Sequence, residues 1–441
     1  MIQKIGNWGN YPVMDCDVEE YSPSVIHSNV PQIPRGMGRS YGDASLGAKV
    51  VSMLRLNCML DFNPETGVLW AESGVTLSEI LEVFVPRGFF LPVTPGTRFV
   101  SLGGAVAADV HGKNHHKEGS FCDHVEYIDL QVEDGRILRC SRIENAEWFD
   151  LTRGGMGLTG IILRVALRLK KIETSWIKQI NIKVRNFEEL CSLFEAHQGS
   201  TYSVAWVDCL AKGKKAGRGI FMIGEHASLS EIRQEGITQP FTSLKKKGLS
   251  IPFFLPEIIL NNFTIRVFNF LYYHKQLKRK RVFLTPYEPY FYPLDSIFHW
   301  NRVYGKRGFV QYQFVLPFEG GAEAMQDILE TIARRGFASF LTVLKTFGPQ
   351  EGLLAFPMEG YTLALDFPVS PELFPFLTEL DQKVQQAGGR IYLAKDARMS
   401  PEVFASTYGE KLSTFQKILA RLLPGKSFQS ALSQRLQLIQ S

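Results

Sequence analysis

Between positions 35 and 169 apolar residues come in short runs broken by glycines, and the runs at 50–56 and 127–132 predict strands. Positions 75–84 follow a different period. There Leu77, Ile80, Leu81 and Phe84 share one face, and Pro86, Arg87 and Gly88 close the segment, which predicts an amphipathic helix. Beyond Lys170 glycines thin out, and alternating segments at 204–209, 310–316 and 361–367 predict antiparallel strands. Helical periodicity appears at 322–335 and 371–387. The pattern predicts an α+β chain of two domains, a glycine-rich one followed by one built over a sheet, with no internal repeat.

A length of 441 residues allows two or three cores. With 45% hydrophobic and 21% charged residues, the chain is neither disordered nor fibrous. A net charge of +5 is too small over this length to point to nucleic acid, so no nucleic-acid partner is expected. Cys16, Cys58, Cys122, Cys140, Cys191 and Cys209 form no C-x-x-C pair, which argues against a disulfide framework or a zinc ribbon and for a reducing compartment. No run reaches the ~20 apolar residues of a spanning helix, and the first ten positions lack the apolar stretch of a signal peptide. The chain is expected to be soluble or to lie on a membrane surface.

Segment 248–281 departs from the average. Its I-P-F-F-L-P and V-F-N-F-L-Y-Y-H runs end in K-Q-L-K-R-K-R. Aromatic side chains settle at a lipid interface and clustered cations are drawn to anionic headgroups, which fits reversible docking of a mobile segment. A buried helix pair with a solvated basic tail accounts for the same residues equally well.

Candidate chemistry begins with three glycine-rich loops: Arg35-Gly36-Met37-Gly38-Arg39-Ser40-Tyr41-Gly42-Asp43, then Pro95-Gly96-Thr97 running on to Ser101-Leu102-Gly103-Gly104, then Gly154 to Gly160. Glycine lets backbone N–H groups approach phosphate oxygens without a Cβ in the way, and three such loops in one ~130-residue stretch favour a large phosphate-bearing cofactor over plain tight turns. The third loop holds a formal G-x-G-x-x-G at Gly155, Gly157 and Gly160. A helical pattern precedes it and a strand pattern follows, the reverse of the Rossmann order. His111, His115 and His116 have the residue type of metal ligands, yet Gly112 and Asn114 oppose a helix there and no carboxylate accompanies them. A site-lining loop with His111 facing a ligand is expected, and no metal. Gln311 and Gln313 share a strand face and, with Lys345 and with Lys395 in Tyr392-Leu393-Ala394-Lys395-Asp396, suit a polyhydroxylated ligand.

Together these segments resemble the FAD-linked oxidoreductases of the vanillyl-alcohol oxidase superfamily, and within it the decaprenylphosphoryl-β-D-ribose 2′-oxidase family. The resemblance runs from R-G-M-G-R-S-Y-G-D through P-G-T-R-F-V-S-L-G-G-A-V-A-A-D-V-H-G-K-N-H-H and G-G-M-G-L-T-G-I-I-L to W-N-R-V-Y-G, Q-Y-Q-F, L-K-T-F-G-P and Y-L-A-K-D-A-R. Its most specific parts are H-G-K-N-H-H and Y-x-A-K-D. It implies a two-domain fold: a PCMH-type FAD-binding domain over 1–172, an antiparallel-sheet substrate domain over 173–390, and a segment 391–441 that returns to the FAD domain. It further implies FAD held by Arg35, Gly36, Met37, Gly38, Arg39, Ser40, Tyr41, Gly42, Asp43, Gly96, Ser101, Leu102, Gly103, Gly104, Ala108, Asp109, Val110, His111, Ile161 (or Ile162) and Tyr392. Superfamily members that tether their flavin use a histidine in the first loop. Arg39 stands there in this chain, so non-covalent FAD is expected.

The reaction the resemblance implies is oxidation of the 2′-hydroxyl of a polyprenyl-phosphoryl ribose to the ketone, with hydride passing to the flavin. An NADH-dependent keto-sugar reductase would then complete epimerisation to the arabinose form, and a quinone or other acceptor would reoxidise the flavin. Lys395, Tyr41, His111 and Gln313 are the candidate catalytic residues, with Lys395 the cation that stabilises charge on the reduced ring. Gln311, Gln313, Lys345, Phe347, Trp206, Thr362 and Ala364 are the candidate substrate contacts. Thr362 and Ala364 replace the Asn and Cys of well-known actinobacterial members, which changes the pocket wall. A polyprenyl substrate in cell-envelope arabinose synthesis implies a cytoplasmic protein held peripherally on the inner face of the membrane. A sugar-1,4-lactone or alditol oxidase of the same superfamily is the alternative enzyme, and a non-catalytic membrane-binding protein is the alternative outside enzymology.

Overall fold

Two small sheets make up the first third of the chain in the computed structural model, which describes residues 1–28, 30–241 and 248–439. The first has the order β1-β2-β4-β3, from Ile2–Gly6 (β1), Val13–Glu20 (β2), Gln32–Arg35 (β3) and Lys49–Ser52 (β4). β4 runs parallel to both of its neighbours. Parallel neighbours cannot be joined by a tight turn, so residues 36–48 cross from β3 to β4 as a long connection, and this connection carries the first glycine loop.

The second sheet is antiparallel, with Met59–Asn63 (β5), Val68–Glu72 (β6), Val125–Gln131 (β7), Ile137–Cys140 (β8) and Ile161–Arg168 (β9) in the order β5-β6-β9-β7-β8. Helix α1 (Leu77–Phe84) starts at a reciprocal capping box between Thr76 and Glu79, and its Leu77, Ile80, Leu81 and Phe84 are buried in the core of this sheet. α2 (Leu102–Ala107) packs on β9.

The second half of the chain is built on one eight-stranded sheet, antiparallel throughout. Its strands are Trp176–Val184 (β10), Tyr202–Val207 (β11), Gly219–His226 (β12), Lys280–Pro286 (β13), Phe309–Pro317 (β14), Thr342–Phe347 (β15), Gly360–Pro368 (β16) and Arg390–Ile391 (β17), in the order β13-β10-β12-β11-β15-β16-β14-β17. Because side chains alternate along a strand, Leu344, Leu363 and Phe314 pack with the helices α5 (Gly321–Arg335) and α6 (Leu373–Gln386) in one core. The residues between them face the other way. Register aligns Trp206, Val343, Ala364 and Gln313 in one row across β11, β15, β16 and β14.

Segment 248–281 does not form a buried helix pair. It contains one long helix, α3 (Asn262–His274), preceded by a short parallel pairing of Leu249–Ser250 with Ile297–Phe298, and the end of its basic run enters the edge strand β13. Ile265 and Asn269 face inward, and Asn269 donates to Asp208 at 2.7 Å. Phe263, Phe270 and Leu271 are 74%, 54% and 60% exposed, so the outer side of α3 is both apolar and open. Tyr287–Phe291 (α4) follows β13.

After β17 the chain returns to the first sheet through α7 (Pro401–Leu422) and α8 (Ala431–Arg435). Gln32 N–H donates to Ser427 O (2.9 Å), Gln429 N–H to Gln32 O (3.0 Å) and Ala431 N–H to Leu46 O (2.8 Å). Arg435 donates to both carboxylate oxygens of Asp43, at 2.9 and 2.8 Å, and lies 2.8 Å from Asp396. The end of segment 391–441, positions 440–441, lies outside the described residues. All six thiols are free, and among the described residues no helix is long and apolar enough to cross a membrane.

Candidate active site

A cavity of ≈ 370 Å³ is lined from both halves of the chain. The first half contributes every residue from Arg35 to Tyr41, with Gly96, Ser101, Gly103, Gly104, Ala108, Val110, His111, Gly157, Gly160 and Ile162, and Tyr392 enters from the returning segment. Among the described residues the amides of Gly36 to Ser40 donate to no protein acceptor. A Cβ on Gly36 would stand 1.9 Å from Ser101 Oγ, and Gly38 has φ +60, so only glycine suits either position. Ser73 Oγ is buried in the same wall without a partner. Free amides, a bare backbone and an unpaired hydroxyl form an anion cradle of the kind a dinucleotide needs, and FAD fits these residues. Arg35 holds the cradle in shape, since its guanidinium bonds Asn7 Oδ1, Gly6 O (2.9 Å) and Ser45 O (3.2 Å).

Five residues expected to touch the cofactor do not line the cavity. Gly42 lies against the Asp396 backbone, where a Cβ would come within 1.8 Å of the carbonyl oxygen. Asp43 is occupied by Arg435, and Leu102 is fully buried in the apolar core. Asp109 accepts the Cys122 N–H at 2.9 Å, and burial raises its pKa to about 6. Ile161 alternates with Ile162 on β9, and Ile162 is the one that faces the cavity. The third glycine loop sits between a helix, Ala146–Thr152, and β9, so its fingerprint has the reverse of the Rossmann order.

The far wall is the polar-to-apolar row of the large sheet. Gln313 Nε2 lies 2.9 Å from His111 Nε2 and 3.4 Å from Thr362 Oγ1. With Gln313 donating, the His111 hydrogen sits on Nδ1, which has no protein partner. Burial, with Lys345 next, pushes the His111 pKa well below its usual value, so the ring is neutral. Beside this pair Gln311 donates to Asp366 Oδ1 at 2.5 Å, and Tyr304 OH lies 3.4 Å from Asp366 Oδ2. The Lys395 ammonium stands 3.8 Å over the Tyr41 ring. Burial lowers its pKa, Asp366 opposes that, and Lys345 adds to it. Lys395 does not pair with its neighbour Asp396, which is held by Arg435.

Of the residues expected to contact substrate, Trp206, Lys345, Gln311, Gln313 and Ala364 line the cavity, whereas Phe347 and Thr362 stand behind it. Phe347 packs 4.7 Å from the His111 ring and 4.6 Å from His115, backing the histidine loop. Thr362 is covered by Gln313 and donates to Phe314 O at 2.8 Å. His115 is bound to Gln350 (3.1 Å) and to Gly348 N–H (3.2 Å), and His116 to Ser200 O (2.8 Å), so both brace the loop. Among the described residues no group of His, Cys, Asp and Glu could hold a metal ion. Asp366, Tyr304 and Lys113 were not legible as site residues, although Asp366 lies two positions beyond Ala364 on β16 and so shares its face.

Residues 24–141 match the FAD binding domain family, and with the cradle this defines an FAD-dependent oxidoreductase of the α+β, PCMH-type fold. The chain is 36% identical over 415 residues to the decaprenylphosphoryl-β-D-ribose oxidase of Mycolicibacterium smegmatis, covering 92% of this chain and 89% of that one. It belongs to the decaprenylphosphoryl-β-D-ribose oxidase family. An uncharacterised Streptomyces coelicolor protein is 31% identical over 376 residues, 82% of this chain and 100% of that one. The L-gulonolactone oxidase of Mus musculus shares 28% over 134 residues, 30% of each chain.

Proposed function

We propose that this protein oxidises the 2′-hydroxyl of a polyprenyl-phosphoryl ribofuranose to the 2′-keto sugar. The observation that carries the proposal is the single cavity that joins the FAD cradle to a wall grading from Lys395, His111 and Gln313 to Trp206 and Tyr272, from polar to apolar. FAD, when bound, supplies the two-electron acceptor for the hydride. Gln313 and neutral His111 are locked to each other and orient the sugar hydroxyls, and Gln311, fixed by Asp366, does the same two positions along β14. The Lys395 ammonium, held over Tyr41 in a desolvated wall, stabilises negative charge that develops during transfer. The hydroxyl proton must also leave: Lys395 in its neutral form, populated near neutral pH because burial lowers its pKa, would accept that proton and so become the ammonium that stabilises the charge.

The apolar outer side of α3 and the following basic run support peripheral attachment to the inner face of the membrane, where a lipid-linked sugar resides. The keto product would pass to an NADH-dependent reductase and the electrons to a quinone or another acceptor. Anaerobic bleaching of the flavin is the test. Polyprenyl-phosphoryl ribose should bleach it, and L-gulono-1,4-lactone and alditols should not. Bleaching by the lactone alone would assign the protein to the sugar-lactone oxidases instead.

A further inference from the structure

The oxidation chemistry leaves Lys113 without a task. It belongs to the histidine loop of the FAD half, but its contacts lie in the other half. Its carbonyl accepts the Ser203 N–H of β11 at 2.9 Å, and its ammonium donates to Tyr290 O. The same ammonium lies 4.2 Å from the Tyr290 ring centre and 5.6 Å from that of Phe291, both on α4. Lys113 and Lys345 line the same cavity.

Of the other cations that line the cavity, Arg35 is taken up by Asn7, Gly6 and Ser45, and two have a carboxylate beside them. Lys395 has Asp366 as a counter-charge, and Arg39 has Asp295. For Lys345 burial alone sets the balance, lowering its pKa to about 8. For Lys113 burial comes first and Lys345 second, bringing it to about 7, and no carboxylate offsets either one. Two desolvated ammoniums that repel each other are a standing cost, and an anion bound between them removes it. The strand beside them indicates which anion. Leu341, Val343 and Lys345 come at a spacing of two and all line the cavity, next to Trp206 and Tyr272. A charge followed by an apolar lane is the order of a phosphate followed by an isoprenoid chain.

We propose that Lys113 and Lys345 together hold the phosphodiester of the substrate, and that this clamp is what distinguishes a lipid-linked ribose from a free sugar. The proposal rests on the polyprenyl-phosphoryl ribose reading. The competing source of phosphate is the FAD diphosphate. It is the weaker candidate, because the free amides of Gly36 to Ser40 sit among Asn7, Trp8 and Ser101, all in the first half, whereas Lys113 reaches into the second.

The test uses the FAD-loaded enzyme and two probes of equal chain length, farnesyl-phosphoryl ribose and an uncharged farnesyl ribofuranoside. Lys113→Met should keep its flavin and raise KM for the phosphoryl substrate tenfold or more, with kcat within threefold and KM for the uncharged glycoside within twofold. Lys113→Arg should recover most of the loss. Farnesyl phosphate, which carries no hydroxyl to oxidise, should perturb the flavin absorbance and bind Lys113→Met at least tenfold more weakly. Equal KM changes on both probes, or unchanged farnesyl phosphate affinity, would overturn the clamp, and loss of FAD from Lys113→Met would assign the lysine to the cofactor. If wild-type flavin is not reduced by farnesyl-phosphoryl ribose, the oxidase reading fails, and the farnesyl phosphate titration still decides the role of Lys113.

Discussion

At the scale of single residues, the argument turns on Lys395 and what surrounds it. Its charged neighbours are Asp366 and Lys345, with the Tyr41 ring beneath it. Lys395→Ala should bind FAD normally yet be reduced by substrate at least about a hundredfold more slowly, since the lost interaction acts on charge that develops in the transition state. Stopped-flow bleaching near the wild-type rate would remove the lysine from the mechanism. Asp366 raises the proton affinity of Lys395 while burial and Lys345 lower it, so Asp366→Asn should move the Lys395 limb of the pH–rate profile to lower pH. A limb that stays put or moves to higher pH would contradict the coupling. Arg39, 3.9 Å over the Trp8 ring, fills the position where a tethering histidine would stand, so denaturation followed by filtration should release all the yellow colour. Lys395, His111 and Gln313 were legible because each lies in a segment whose residue types are unusual for a strand or turn. Asp366 was not, because a lone carboxylate in T-L-A-L-D reads as the end of an apolar strand until register sets Gln311 opposite it.

Among the elements, α1 was the most legible: the period over 75–84 and the stop that follows it agree, and the four apolar positions on its predicted face are all buried. Three strands of the large sheet, β11, β14 and β16, were legible one at a time, but the other five and the order of all eight were not. Alternation says which side of a strand is buried and nothing about which strand lies beside it. The row from Trp206 to Gln313 therefore had no signature in the sequence. Segment 248–281 was legible in composition only, because one aromatic-rich helix looks the same whether its second face meets protein or water. Since Phe263, Phe270 and Leu271 are exposed, changing all three to Ser should leave folding intact and weaken binding to anionic vesicles markedly. Raising the salt should weaken wild-type binding as well, because the basic run contributes about 1 kcal/mol per residue near the surface. Co-sedimentation that is the same for both forms and indifferent to salt would leave α3 without a lipid partner.

The whole molecule is closed by Arg435, which ties α8 to the first glycine loop through Asp43 and to the Lys395 segment through Asp396. Only family resemblance indicated that the chain returns here; nothing in A-L-S-Q-R-L marks this arginine, because its partner Asp43 lies 392 residues away. Both carboxylates are almost fully buried, so Arg435→Met would strand two charges and should cost about 3–5 kcal/mol. Thermal unfolding of the apo and FAD-loaded forms measures it, and a loss below about 1 kcal/mol would mean that the carboxylates are satisfied elsewhere. The same long separation bears on how the protein is made. A ribosome adding 5–20 residues per second needs roughly 20–80 s to travel from one partner of this ion pair to the other. For that interval the nascent glycine loop has been synthesised but not locked, so flavin capture is a late event in the life of each chain.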